Sequence, residues 1–191
     1  PPLDTTDASL PHSARIAARK TGGLKNIIKK HGFNGIVTGI RRDEEGTRAK
    51  ERYFSPRDVE GAWDVKDQPP EFWDQFNTDF PVGTHIRIHP LLHWTELDVW
   101  LYIKRENIPI VPLYYAKKYD MFEGRDFGGK LMRFRSLGEK GITWPLESPA
   151  DTIDKIIAEL RVTKVSERSG RPMGADEDES SFERLRAAGY M

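Results

Sequence analysis

The alternation of apolar and polar positions changes character several times along the chain, and each change predicts an element. In the segment Ser13 to His31, "SARIAARKTGGLKNIIKKH", Leu24, Ile27 and Ile28 recur at helical spacing. The segment closes on Lys29, Lys30 and His31 before Gly32, and cations followed by glycine stop a helix. Gly22-Gly23 weakens its upstream half, so the helix is expected to be firmest beyond that pair. "FNGIVTGI", Phe33 to Ile40, reads as a short, nearly continuous apolar strand. A helix leading into such a strand suggests an α/β unit with a parallel sheet. "THIRIHPL", Thr84 to Leu91, sets Ile86 and Ile88 against Arg87 and His89, the alternation of a second, half-buried strand.

Between these strands, Tyr53 to Gly83 is loop-rich, with Trp63, Phe72, Trp73 and Phe76 among prolines. Such aromatics are expected to form a satellite cluster that holds down a long loop. In "WTELDVWLYIKREN", Thr95 with Asp98 three residues on is a capping signature, and Leu97, Trp100, Leu101 and Ile103 are the apolar positions. Pro109 and Pro112 forbid a regular central strand in "IPIVPLYY". "SPADTIDKIIAELRV" predicts a helix capped by Ser148, with Pro149 in its first position and Ile153, Ile156, Ile157 and Leu160 as one stripe. A polar linker containing the acidic run Asp176 to Glu179 then leads to a last short helix. Ser180 and Glu183 would form its capping box and Gly189 its stop.

Composition narrows the classes. The 191 residues suffice for one sizeable core, or one domain with a tail. Thirty basic and thirty acidic residues give a formal net charge of +0, so bulk electrostatics does not argue for nucleic acid. No apolar run approaches the ~20 residues of a membrane span. There is no cysteine, which excludes disulfides, thiolate metal sites, iron–sulfur clusters and cysteine nucleophiles together. The opening "PPLDTTDASLPHS" shows no signal-peptide pattern, which makes the cytoplasm the default expectation.

Charge changes the picture at one place. From Arg41 to Arg52, "RRDEEGTRAKER" carries nine charged residues in twelve, directly after the predicted strand. Ligands of open α/β sheets bind beyond the carboxyl ends of strands, which is where this segment falls. Arginine matches phosphate or sulfate oxygens two at a time, and neighbouring carboxylates can neutralise some guanidinium groups and aim others. A surface helix of i,i+4 ion pairs is the alternative; Arg41–Glu45 fits it, but Arg48–Arg52 is like-charged. "RFRSLG" adds Arg133 and Arg135, on one side if extended, with Phe134 turned inward. "SERSGR" adds Arg168 and Arg171 in a glycine-containing loop. The histidines show no metal-ligand pattern, although His85 and His89 are spaced to share one strand face. No Gly-rich phosphate loop, Ser–His–Asp order or paired-carboxylate signature stands out.

In this order, "GIRRDEEGTRAKER", "RIHPLLHWTELDVWLYIKRENIPIVPLYYA", "MRFRSLG" and "TKVSERSGR…GY" closely resemble the small, catalytic subunit of bacterial two-subunit sulfate adenylyltransferases. That family belongs to the PP-loop, phosphoadenosine-phosphosulfate-reductase-like superfamily. The resemblance runs from about His12 to Tyr190 and rests on the arginine-rich motif together with the "PL-x-x-WTE-x-D-x-W-x-YI" block. It implies an α/β, parallel-sheet, adenine-nucleotide α-hydrolase-like fold over residues 1–147, with residues 148–191 as a helical tail packing on it. It implies the reaction of ATP with sulfate to give adenylyl sulfate and pyrophosphate, ATP as its Mg2+ complex, and a GTPase large subunit as partner, with neither nucleic acid nor membrane involved. Carried over by position, Arg41, Arg42 and Arg48 would be catalytic. Asp43, Glu44, Glu45, Arg52, Arg133, Arg135, Arg168 and Arg171 would serve substrate binding or orient the residues that do, and His93 to Ile103 would be structural.

Two departures qualify the transfer. The family's pyrophosphate loop, of Ser-x-Gly-Lys-Asp-Ser type, has no counterpart here, and it normally lies well before the equivalent of His12. The expectation is that the chain is the C-terminal portion of a longer protein; the alternative is a diverged member that cannot cradle the pyrophosphate in the usual way. Where the family often carries cysteine after its "R-F/Y-R-x-L/V-G" motif, this chain has Glu139, and residue roles are not transferred across Glu139 to Pro145. A reductase of adenylyl or phosphoadenylyl sulfate needs a cysteine nucleophile and is set aside. A non-catalytic module that binds a nucleotide or a partner GTPase is the alternative from another class.

Overall fold

The computed structural model describes residue 9 and residues 12–44, 46–58, 61–64, 66–73, 75–138, 143–165 and 167. The described residues fall into two compact units, one drawing on the chain up to Ile40 and on Lys50–Leu92, the other on Arg41–Ala49 and on residues within His93–Asp176. Among the described residues no helix is long and apolar enough to cross a membrane.

The first unit holds helix α1 (His12–His31) and strands β1 (Gly35–Val37), β2 (Phe54–Arg57) and β3 (His85–Ile88), in sheet order β1-β3-β2. The helix runs through Gly22-Gly23 and ends as its last turn foretold. Gly32 takes φ 66°, and the amides of Gly32 and Phe33 both return to the Ile28 carbonyl, at 2.9 and 3.2 Å. β1 pairs in parallel with β3, Gly35 facing Ile86, which is the parallel pairing of an α/β unit; β2 pairs with β3 antiparallel.

Strand β3 reverses the expected inside and outside. Ile86 and Ile88 are half-buried, whereas His85, Arg87 and His89 are buried, with His89 fully so. The register sets Ser55 opposite Arg87 and Arg57 opposite His85, so the inward side of this pair is polar throughout. Buried charge survives where its donors find acceptors. Arg57 donates to Ser55 Oγ at 2.6 Å, lies 3.9 Å from Glu51 and sits 5.2 Å over the Trp63 ring. His89 Nδ1 meets the Arg52 carbonyl at 2.7 Å. The His85 imidazole is held below its ordinary pKa by burial and by the nearby Arg87 and Arg57. An alternation of isoleucine with cations cannot reveal that acceptors from elsewhere, Ser55, Glu51 and the Arg52 carbonyl, meet the donors on the inward side.

The long loop is fastened partly as expected. Tyr53 and Phe54 pack on Phe76 with ring centroids 5.1 and 5.7 Å apart, and Trp63 is buried. The Glu71 carboxylate accepts the amides of both Tyr53 and Phe54, at 2.8 and 2.9 Å. Phe72 and Trp73 stay outside this cluster, exposed and leaning on each other.

The second unit contains α2 (Glu96–Arg105), a 3-10 turn (Pro112–Tyr114), β4 (Lys117–Phe122), β5 (Arg125–Arg133), β6 (Leu146–Glu147) and α3 (Ile153–Val162). Its sheet, β4-β5-β6, is antiparallel. The two-residue turn between β4 and β5 is Glu123-Gly124, with φ of 47° and 79°, the doubly positive geometry that suits the strands' twist. Helices α2 and α3 meet around Trp100, Ala150, Ile156, Ile157 and Leu160, with Tyr114 edge-on to Trp100 at 5.6 Å. The capping box forms as read: Thr95 Oγ accepts the Asp98 amide, and Asp98 accepts the Thr95 amide at 2.8 Å.

α3 corrects the expected cap. It starts at Ile153 with Thr152 as N-cap, accepting the Lys155 amide at 3.3 Å. Ser148 lies outside the helix because its hydroxyl is engaged elsewhere. It accepts the Ala150 amide at 3.1 Å and Arg133 Nε at 3.3 Å, and donates to Glu159. The expected helix from Ser180, the linker Asp176 to Glu179, and Glu45, Glu139, Arg168 and Arg171 lie outside the described residues.

Candidate anion-binding site

The arginine-rich segment does not form a regular surface helix. It makes two 3-10 turns, Arg42–Glu44 and Gly46–Lys50; in the first, Glu44 is buried, Arg42 half-buried and Asp43 exposed. Arg41 is 9% exposed and engaged on every edge of its guanidinium. Nε donates to Asp43 at 2.9 Å, one terminal nitrogen donates to Glu167 at 2.7 Å, and the other lies 3.8 Å from Glu44. Burial works against this cation. Glu167, by hydrogen bond and charge, then Asp43 and Glu44 outweigh it and carry the Arg41 pKa above its usual value. Arg48 is more deeply buried, 3.7 Å from the other oxygen of Glu44.

The carboxylates anchor the cluster to α2. Asp43 accepts the Glu96 amide at 2.5 Å, satisfying a donor that the first turn of a helix leaves without an intrahelical partner. The Glu96 side chain turns to Arg135, which donates to its two oxygens at 2.5 and 3.3 Å. Burial pushes the Glu96 carboxyl upward; Arg135 opposes that shift and Glu167 adds to it. Arg135 also reaches the Val165 carbonyl at 3.3 Å. Burial, with Glu167 and Glu96 nearby and Arg41 opposing, raises the Tyr114 phenol as well. Beside this network a cleft of about 440 Å³ is lined by Asp43, Thr95, Glu96, Leu97, Arg135, Leu160, Thr163, Lys164, Val165 and Glu167.

The structure thus brings together Arg41, Arg48, Asp43, Glu44 and Arg135 of the sequence-derived candidates. Arg42, half-buried, contacts His93 Nε2; a guanidinium only donates, so the imidazole accepts. Arg52 belongs to the first unit, where it donates to the Pro69 carbonyl at 3.2 Å. Arg133 is fully buried and donates to Glu159 at 2.5 Å, so it and Arg135 have different partners. Glu96 and Glu167 were not among the sequence-derived candidates. Glu96 follows a capping threonine and reads as an ordinary first-turn acid; Glu167 meets Arg41 across 126 positions, which no local pattern signals. Among the described residues no group of three or more His, Asp or Glu side chains could hold a metal ion.

The model of the phosphoadenosine phosphosulfate reductase domain matches residues 8–145, most of the chain and the whole arginine-rich segment. The chain belongs to the phosphoadenosine phosphosulfate reductase domain family. Its relatives include proteins named sulfate adenylyltransferase subunit 2 from Rhizobium sp. (strain N33) and Mesorhizobium japonicum, each 43% identical over 188 aligned positions. A third, of the same name, from Geotalea uraniireducens, is 44% identical. Each alignment takes in 90% of this chain and 62% of the relative, so the chain spans under two thirds of these members' length. A PP-loop family membership agrees with the parallel β1–β3 pair that follows α1.

Proposed function

We propose that the chain is part of the catalytic small subunit of a sulfate adenylyltransferase, which converts ATP and sulfate to adenylyl sulfate and pyrophosphate. The observation that carries this reading is the 43–44% identity, over nine tenths of the chain, to several proteins named as subunit 2 of that enzyme. ATP would enter as its Mg2+ complex, a GTPase large subunit would be the partner, and the cytoplasm the place of work.

In this reaction a sulfate oxygen attacks the α-phosphorus as the bond to the pyrophosphate oxygen breaks, and negative charge spreads over the remaining α-phosphoryl oxygens. Positioning and fixed positive charge supply most of what a protein can add to such a step. In this proposal Arg41, Arg42 and Arg48 meet that charge, while Asp43, Glu44 and Glu45 orient them. The close carboxylate contacts of Arg41 and Arg48 support a preorganised role. Arg135, bordering the cleft, is the further substrate-side candidate; Arg52, Arg168 and Arg171 are carried as candidates by position alone. Arg133, whose described partners are Glu159, Ser148 and the Phe134 carbonyl, is read as holding the scaffold.

The test combines exchange and binding. With the large subunit and a segment carrying the family's pyrophosphate loop supplied, the chain should support sulfate-dependent exchange of labelled pyrophosphate into ATP; without that segment it should not. Sulfate and adenylyl sulfate should raise its melting temperature by native-state linkage. Exchanging both Arg41 and Arg42 for alanine should abolish both effects and leave a folded protein. Absence of exchange in the supplemented protein, together with absence of any anion-induced stabilisation of the unaltered chain, would overturn the reading.

A further inference from the structure

The three carboxylates on Arg41 are not equally held. Asp43 is also fixed to the first amide of α2, at 2.5 Å. Glu44 also accepts the Arg41 backbone amide, at 3.1 Å, and faces Arg48. Glu167 comes from the segment beyond α3, and among the described residues its carboxylate has one hydrogen-bond partner, the Arg41 guanidinium at 2.7 Å. Its Oε2 presents to one terminal nitrogen of that guanidinium what a single sulfate or phosphate oxygen would present.

The charge of the adjoining cleft sharpens the point. Its lining holds three carboxylates, Asp43, Glu96 and Glu167, against two cations, Arg135 and Lys164. An oxyanion entering that arrangement meets net negative charge. With Glu167 withdrawn the lining balances, and an edge of the Arg41 fork turns to the newcomer. Burial lifts the Glu96 carboxyl and the Glu167 charge adds to that shift, so the departure of Glu167 eases Glu96 as well.

We propose that Glu167 is an internal occupant of the anion subsite at Arg41, which a substrate oxyanion displaces on binding. This rests on the reading of Arg41 as an anion-binding residue given above, and it makes Glu167 a determinant of substrate affinity. The ligand exchanges one charge-assisted hydrogen bond for another, so the net affinity is lower than the fork alone would give, and Glu167 leaves Arg41 only when the site fills.

Calorimetric titration with adenylyl sulfate and with inorganic sulfate tests this on four proteins: the unaltered chain, Glu167→Gln, Arg41→Ala and the double variant. Glu167→Gln should tighten adenylyl sulfate binding roughly tenfold, on the scale of one charge-assisted hydrogen bond. In the Arg41→Ala background the same exchange should change nothing. Equal or weaker binding by Glu167→Gln overturns the proposal. If Arg41→Ala weakens binding while Glu167→Gln leaves it unchanged, the anion site stands and the internal occupant falls; if neither substitution alters it, both fall. Limited trypsin digestion of the unaltered chain gives a second readout free of any folding defect. Adenylyl sulfate should speed cleavage after the exposed Lys164 as its segment loosens, and protection or no change there counts against displacement.

Discussion

The Asp43 carboxylate accepts the Glu96 backbone N–H at 2.5 Å, joining residues 53 positions apart. A negative group at this place completes the N-terminus of α2, where Thr95 and Asp98 satisfy other donors, and it meets the positive end of the helix dipole. Removing the oxygens leaves the Glu96 amide without its acceptor and loosens the tie to Arg41. Asp43→Ala should therefore cost about 1–2 kcal/mol, and Asp43→Asn less, since the amide oxygen still accepts. Urea denaturation decides it; an Asp43→Ala protein of unchanged stability would mean that water replaces the contact at no cost.

Arg133 is fully buried against Glu159 and Ser148. Losing one partner of such a pair strands the other, so Arg133→Ala should cost about 3–5 kcal/mol. Replacing the pair together, Arg133→Met with Glu159→Leu, should recover much of that loss. Anion-induced stabilisation of the double variant should match that of the unaltered chain, whereas a substrate-contacting Arg133 would lose it in every variant.

Trp100 is 4% exposed, at the meeting of α2 and α3. Truncation to alanine should cost about 3–5 kcal/mol by lost burial and the cavity left behind. Near-neutral behaviour in chemical denaturation would mean that the two helices close over the gap.

Asp98 has its carboxyl below the ordinary aspartate range because the Thr95 amide and then the Thr95 hydroxyl donate to its ionised form. A lowered folded-state pKa stabilises above the unfolded-state value and loses that contribution as pH falls through the folded-state value. Stability measured in steps from roughly pH 5 to pH 2 should fall more steeply for the unaltered chain than for Asp98→Asn, whose cap does not titrate. Parallel pH profiles would deny the capping box its charge.

What was legible in the sequence was local. The Thr95–Asp98 box, the Gly32 stop and the Trp100 stripe each depend on residues within a few positions, and each formed as read save that Leu101, counted in the stripe, is exposed. The β4–β5 hairpin went unread although Glu123-Gly124 lies between segments of strand character; a glycine after a residue that accepts positive φ was the available signal. Ser148 was misassigned because a hydroxyl's best partner can be distant, here Arg133 and Glu159. At the candidate site the sequence marked the arginines and their adjacent acids. It could not mark Glu96 or Glu167, whose roles come from which chain segments fold onto Arg41 and Arg135.

The polar inward side of β2 and β3 bears on how this protein answers temperature. Exposure of apolar surface raises the heat capacity of unfolding, and exposure of polar surface lowers it. A sheet that hides Ser55, Arg57, His85 and Arg87 gives up less of the first and more of the second than an aliphatic one of the same area. Its share of the stability curve is correspondingly shallow, so cooling weakens this sheet less than it weakens the aliphatic contact of α2 with α3.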